Sequence, residues 1–165
     1  MRDELYMRLA LQQAEKAYDL GEIPVGALVV YQDEVIAWAY NEKEALNDAT
    51  AHAEMLALQR AARYLGQWRL NAVTLYCTME PCPMCAGAMV NSRLSRLVYG
   101  CIDEKGGSAG SVLDIVRHPA LNHQIEVKPG VLEEECAEVL SRFFTDLRRD
   151  GRDGRRRSTR NRVGG

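Results

Sequence analysis

Apolar positions open the chain at helical spacing. Met7, Ala10, Leu11, Ala14, Ala17 and Tyr18 share one side, with Arg8, Gln12, Glu15 and Asp19 opposite, which predicts an amphipathic helix over residues 3–20. Gly21 is its stop signal. Pro24 to Val30 is a nearly continuous apolar run, the pattern of a strand buried on both faces. A polar turn, Tyr31-Gln32-Asp33-Glu34, leads into a second strand from Val35 to Tyr40, and so short a link permits only an antiparallel hairpin. Asn41 falls just past that strand, where side chains tend to face a site rather than a core.

Further on, Asp48 or Thr50 can cap a second helix running to about Leu65, with Gly66 closing it and Met55, Leu58, Ala62 and Leu65 as its buried stripe. His52 and Glu54 then lie in its first turn. Ala72 to Thr78 reads as a third strand, and residues 82–93 as a third helix opened by Pro81 and Pro83, since proline is tolerated only at a helix start. A fourth strand covers Ser95 to Tyr99, a fifth Ile125 to Val127, and a final helix runs from Val131 to about Leu147. That helix carries Leu132, Cys136, Val139, Leu140, Phe143 and Leu147 along one face. Beyond it, Arg148 to Gly165 has a single apolar residue, Val163, and its composition predicts a disordered tail. The expected organisation is one domain over 1–147 and an arginine-rich tail over 148–165. Strands interleaved with helices point to an α/β domain with helices on both faces of one sheet.

Composition bounds the function. A chain of 165 residues can bury a core without disulfides. No signal-peptide pattern opens it and no apolar run is long enough to span a membrane, so the cytoplasm is the expected compartment. Five cysteines, two of them in a C-x-x-C, suggest metal or redox chemistry rather than a disulfide framework. The net charge of −2 conceals an asymmetry. Residues 148–165 hold eight arginines against two aspartates, a net of +6, and the remainder holds thirteen basic and twenty-one acidic side chains, a net of −8.

The chemistry concentrates in Pro81-Cys82-Pro83-Met84-Cys85 and His52-Ala53-Glu54. Two thiols and an imidazole are three soft ligands, enough to hold zinc with one position open. A C-x-x-C at a helix start puts both sulfurs on one side, where the helix dipole favours thiolates. Glu54, two residues from His52, points elsewhere and suits proton transfer better than ligation. A thioredoxin-like redox pair and a structural four-ligand site are the rivals. Cys77 and Cys136 lie in apolar patterns and read as buried, while Cys101, after a strand end, is less determined. The combination H-x-E…P-C-x-x-C is the signature of zinc nucleobase deaminases and favours the open, catalytic site. Elsewhere, His118 and His123 read as loop residues bonding to backbone. Gly106 to Ser111 lacks the ending of a phosphate-binding loop, so no nucleotide cofactor is expected and the stretch reads as a flexible turn.

Asp48-Ala-Thr-Ala-His52-Ala-Glu54, Leu75-Tyr-Cys-Thr-Met-Glu-Pro-Cys82-Pro-Met-Cys85-Ala-Gly-Ala-Met, Val25-Gly-Ala, Asn122-His123 and Gly130-Val-Leu-Glu-Glu-Glu-Cys136 together resemble the bacterial tRNA adenosine deaminases, over residues 4–147. The chain departs from them at Ala49, where many members have proline, which loosens the approach to the helix. The resemblance implies a three-layer αβα sandwich on a five-stranded mixed, cytidine deaminase-like sheet, and a homodimer. It implies His52, Cys82 and Cys85 as ligands of one Zn2+, Glu54 as proton shuttle and Asn41 as a base contact. The implied reaction converts adenosine to inosine at the first anticodon (wobble) nucleotide in the anticodon loop of a tRNA, an arginine tRNA in most bacteria. Ala53 and Asp103 are further candidates for touching substrate, Asp103 because it follows the fourth strand near the expected mouth of the site. The alternatives are a free-base guanine or cytosine deaminase and a non-catalytic, zinc-stabilised RNA-binding module.

Overall fold

A computed structural model describes residues 2–160, with side chains through 151. The helical stripe at the start becomes α1 (Arg2–Asp19), and the apolar run becomes β1 (Gly26–Tyr31), paired antiparallel with β2 (Glu34–Tyr40). Gln32 and Asp33 both adopt positive φ, as a two-residue hairpin turn demands, and a bulge interrupts the ladder between Val29 and Val30. Then follow α2 (Ala53–Leu65), β3 (Val73–Met79), α3 (Pro83–Asn91), β4 (Arg96–Cys101), β5 (Glu126–Lys128) and α4 (Glu133–Arg160).

The strands form one sheet in the order β2-β1-β3-β4-β5. β1 runs antiparallel to both its neighbours, while β3, β4 and β5 are parallel, so the sheet is mixed. Parallel β3 and β4 require a crossover, and α3 supplies it. α1 packs chiefly against β1 and β3, α4 against β4 and β3, and the two touch each other; α2 packs against β1 and β2 and touches α3. The result is the three-layer αβα sandwich. The interior strand β1 is buried on both faces over Gly26–Val30, as its unbroken apolar pattern requires. α1 approaches it so closely that a Cβ at Gly26 would lie 2.0 Å from the carbonyl oxygen of Ala10. Only glycine fits there.

Two helix boundaries and one buried face differ from the sequence expectation. α2 begins at Ala53 rather than near Asp48 or Thr50, because Asp48 spends its carboxylate on the amide and hydroxyl of Thr50, at 2.8 and 2.7 Å. That local turn stands in for the proline expected at 49. The buried stripe of α2 is Ala53, Glu54, Ala57, Leu58 and Ala61; Met55, Ala62 and Leu65 are only partly covered. Small alanines let the helix sit close to the sheet. Finally, α4 does not stop near Leu147 but continues through the arginine-rich segment to Arg160. Arginine is a good helix former, and extending a helix already nucleated by packing costs little. The expectation of disorder for 161–165 lies outside the described residues.

One polar knot fastens α1 to the sheet. The Asp3 carboxylate accepts both terminal nitrogens of Arg96 at 2.9 Å, the Tyr76 hydroxyl at 2.7 Å and the Lys128 ammonium at 2.8 Å. Its partners sit on β3, β4 and β5, and the Arg96 guanidinium, foremost among them, holds the Asp3 carboxyl well below its usual range. A carboxylate with a depressed folded pKa stabilises the fold above its unfolded value, and that stability is lost as pH falls toward the folded pKa. We therefore expect Asp3→Ala to cost about 2 kcal/mol near neutral pH. The gap to the wild type should narrow progressively below about pH 4, as urea titrations across pH would register.

Candidate active site

The two chemistry-bearing segments meet because two helices begin side by side. His52 is the N-cap of α2 and Cys82 the N-cap of α3. An N-cap side chain ordinarily bonds the amides of its own helix, but neither does so here. Both turn toward each other instead: His52 Nδ1 lies 3.6 Å from Cys82 Sγ and 3.6 Å from Cys85 Sγ. Cys85 stands three residues into the first turn of α3, above Cys82, so one turn of helix supplies both sulfurs.

Among the described residues this is the one cluster of three or more such side chains that could hold a metal, its donor atoms all within 4.8 Å of one another. A tetrahedral ion with nitrogen at about 2.0 Å and sulfur at about 2.3 Å has N···S edges of about 3.5 Å, close to the 3.6 Å observed. The donor set fits a metal. Cys77, Cys101 and Cys136 are buried elsewhere in the core and stand outside the cluster, so no fourth protein ligand closes the site among the described residues. Cys101, undetermined in sequence, directs its thiol to the Thr78 carbonyl at 3.5 Å.

The electrostatics suit ligation. The Cys82 thiol is drawn down to about 4, foremost by its hydrogen bond with Cys85 and then by His52. Cys85, as the proton-bearing partner, is pushed up. The His52 imidazole is raised by Cys82. Glu54 is 4% exposed, and burial raises its carboxyl above the ordinary range. Cys85 Sγ donates to Glu54 Oε2 at 3.3 Å, so the carboxyl abuts the cluster without belonging to it. A buried carboxyl with a raised pKa is suited to holding and releasing protons near neutral pH.

A pocket of about 250 Å³ opens over these groups. His52, Ala53, Glu54 and Cys82 form its floor, and Asn41 and Asp103 reach it from the loops after β2 and β4. Cys85 lies just behind the floor, fully buried. Asn41 is 5% exposed; its Nδ2 donates to the Ile23 carbonyl at 3.4 Å, and its buried Oδ1 has no partner. An orphaned acceptor facing a pocket is a contact awaiting a ligand donor. Asp103 uses Oδ1 on its own turn, accepting the amides of Lys105 and Gly106 at 3.0 and 3.2 Å.

Sequence reasoning missed the apolar wall. Ile23, Val25, Leu140 and Phe144 line the pocket, the last two reaching over from α4. Phe144 lies off the stripe of its helix and is 41% exposed at the mouth, an aromatic position that periodicity alone marks as surface. Two buried glutamates were also missed. Glu22 accepts the amides of Glu44 and Ala45 at 3.1 and 2.6 Å and so holds the loop after Asn41. Glu80, 2% exposed, does the same for the loop after β4, which is therefore pinned and not the flexible turn its composition suggests. The two remaining histidines are outside the site: His123 meets the Leu94 carbonyl at 2.6 Å, and His118 accepts the Ala120 amide at 3.1 Å.

A five-stranded mixed sheet, with an open His/Cys/Cys cluster and a buried carboxyl at paired helix starts, defines a deaminase of the cytidine deaminase-like class. Comparison with known proteins agrees, the model of the MafB19-like deaminase family matching residues 1–148. A tRNA-specific adenosine deaminase of Bacillus subtilis is 48% identical over 155 residues, 94% of this chain and 96% of that one. The chain belongs to the family of tRNA-specific adenosine deaminases. A solved structure from work on A-to-I editing by tRNA:A34 deaminases at the wobble position is 43% identical, with a TM-score of 0.79 over 82% of this chain and 98% of its own. A guanine deaminase from Nitrosomonas europaea, 23% identical with a TM-score of 0.73 over 85% of this chain and 83% of its own, shares the fold.

If the cluster holds the metal, Cys82→Ala and Cys85→Ala should each lower bound metal from about one per chain to below about a tenth. Circular dichroism should still show the native secondary structure, because each change removes one small side chain; Cys85, itself part of the core, makes Cys85→Ala the less stable of the two. Full metal content in either variant would place the ion elsewhere.

Proposed function

We propose that this protein deaminates adenosine to inosine at the wobble nucleotide of a tRNA, with one zinc ion per chain held by His52, Cys82 and Cys85. The observation that carries the proposal is the buried Glu54 carboxyl beside a three-ligand cluster at the floor of a pocket. A structural metal site has no use for such a neighbour. Kinship with tRNA-specific adenosine deaminases supports adenosine in RNA over a free base, and an arginine tRNA is the first substrate to test.

Zinc, when bound, makes a water-derived nucleophile available at neutral pH. Glu54 takes up a proton at a carboxylate oxygen and delivers it to N1 of adenine, which makes C6 electrophilic. The water-derived oxygen bonds to C6, the same carboxylate passes a second proton to the exocyclic nitrogen, and the C6–N bond breaks to release ammonia. Asn41 offers Oδ1 to a donor of the substrate, and the Ala53 backbone edges the floor. Ile23, Val25, Leu140 and Phe144 give the splayed base an apolar slot that excludes water. A base in an anticodon loop is already single-stranded, so bringing it out of the stack costs little. Asp103, at the rim, is placed for the substrate's sugar or backbone.

The implied homodimer is part of the same reading, and exposed Ile102, Val112 and Leu113 beside the rim offer apolar surface for a second copy. No helix among the described residues is long and apolar enough to cross a membrane, which accords with a cytoplasmic tRNA-modifying enzyme.

An anticodon stem-loop with adenosine at the wobble position is the decisive substrate. Inosine formation should fall by at least ~1,000-fold in Glu54→Gln with metal content retained, the magnitude of losing a proton shuttle. Deamination of free guanine or cytosine alone would overturn the RNA reading, and metal without any activity would favour a binding module. Deleting residues 148–165 should leave metal content unchanged and weaken tRNA binding chiefly at low salt, since arginine–phosphate attraction is screened. Equal affinities across a salt series would assign the segment no part in binding.

A further inference from the structure

Composition makes residues 103–111 look unanchored, yet Gly107, Ser108 and Ala109 are buried. What holds them is a single carboxylate. Glu80 closes β3 just before the Pro81-Cys82 turn, and no cation pairs with it among the described residues. Its oxygens are filled by the loop. Oε1 accepts the Asp103 amide at 3.2 Å and the Ser111 hydroxyl; Oε2 accepts the amides of Ala109 at 3.0 Å and Ser111 at 3.1 Å. A second tie runs beside it, from the Ser108 amide to the Pro81 carbonyl at 2.9 Å. The loop presses so closely that a Cβ at Gly107 would lie 2.4 Å from Glu80 Oε1.

A loop that needed only to be covered could rest on apolar side chains at less desolvation cost. Four donors converging on one buried carboxylate do something more specific: they set the backbone direction at 103, at 109 and at 111. The first of those positions carries Asp103, whose own Oδ1 is committed to its turn, leaving Oδ2 without a hydrogen-bond partner at the pocket rim among the described residues. Glu80 itself lines the same pocket and adjoins the segment bearing Cys82. It therefore connects the metal-holding turn to the rim by one side chain.

We propose that Glu80 is a positioning residue for substrate recognition, registering the 103–111 loop against the Cys82 turn so that Asp103 meets the sugar or backbone flanking the target adenosine. The inference rests on the reading of the site as an RNA adenosine deaminase. Glu80 moves no proton in it. Its effect falls on binding of the RNA rather than on the chemical step.

Glu80→Gln tests this, since an amide nitrogen replaces one oxygen and two loop donors lose their acceptor. In the full-length protein with the anticodon stem-loop as substrate, KM should rise about tenfold while kcat stays within about twofold, the signature of lost uniform binding. Metal content should be unchanged, and amide exchange over residues 103–113 should accelerate. An unchanged KM would overturn the proposal even if exchange accelerates. A joint loss of metal and kcat would overturn it too, by making Glu80 a support of the metal-holding turn. Should Glu80→Gln not fold, Ser111→Ala removes one of the bonds and should raise KM about threefold; no rise refutes the idea. A wild-type protein that forms no inosine would sink the parent reading instead, with the exchange experiment still reporting whether the tie exists.

Discussion

The structure turns on two helix N-termini brought face to face. Every helix start leaves amides unpaired and a partial positive charge, and the usual remedy is a side-chain cap. α2 and α3 forgo it at His52 and Cys82. Each start thus has a ligand to spare and a field that favours thiolate. That arrangement requires a parallel pair, β3 and β4, joined by α3, and an antiparallel β1 that sets α2 beside it. The sheet order is the means by which a His-x-Glu and a C-x-x-C about thirty residues apart become one site.

Around that centre, polar groups inside the protein act as fasteners for loops. Glu22 and Glu80 are both nearly inaccessible, and each is satisfied mainly by backbone amides of a loop flanking the pocket. A carboxylate accepts several bonds at once and dictates their directions, which apolar packing cannot do. Loops so held can carry Asn41 and Asp103 with the precision that recognition needs while remaining loops in composition.

The helices, the strands and the cysteine pair at the start of α3 were legible because each has a local signature: periodicity for α1 and β1, proline-flanked cysteines for α3, glycine for the end of α2. The short polar link between the first two apolar runs forced a hairpin, which turns on Gln32 and Asp33. What was not legible depends on partners distant in sequence. Nothing near Glu80 announces that residues 103, 109 and 111 will satisfy it, so the glycine-serine loop read as loose. Phe144 breaks the stripe of its helix and acquires meaning only once the pocket is in place. The start of α2 was misplaced because Asp48 and Thr50 are both good caps, and their mutual bond, which makes a turn instead, is a choice between two local structures of similar energy. The end of α4 was misjudged for a different reason. Lack of apolar residues argues against an independent core, but it does not argue against prolonging a helix already anchored by Cys136, Val139, Leu140 and Phe143.

That prolongation bears on how an acidic body, net −8 outside the arginine-rich segment, can attract RNA at all. The helix that contributes Leu140 and Phe144 to the pocket is the one that continues into the arginines, from exposed Arg148 and Arg149 onward. Helix rises about 1.5 Å per residue, so Arg148 and Arg149 begin roughly 6 to 8 Å along the axis from Phe144. A helical connection matters here. Charge on a loose tether raises local concentration of any polyanion, whereas charge on the pocket's own wall raises it in one direction relative to the slot for the base. The net negative charge of the remainder adds a repulsion that any polyanion must overcome on approach. On the proposed reading, recognition of one nucleotide in a folded RNA would be divided between an apolar pocket that accepts the base and a helix that meets the backbone beside it.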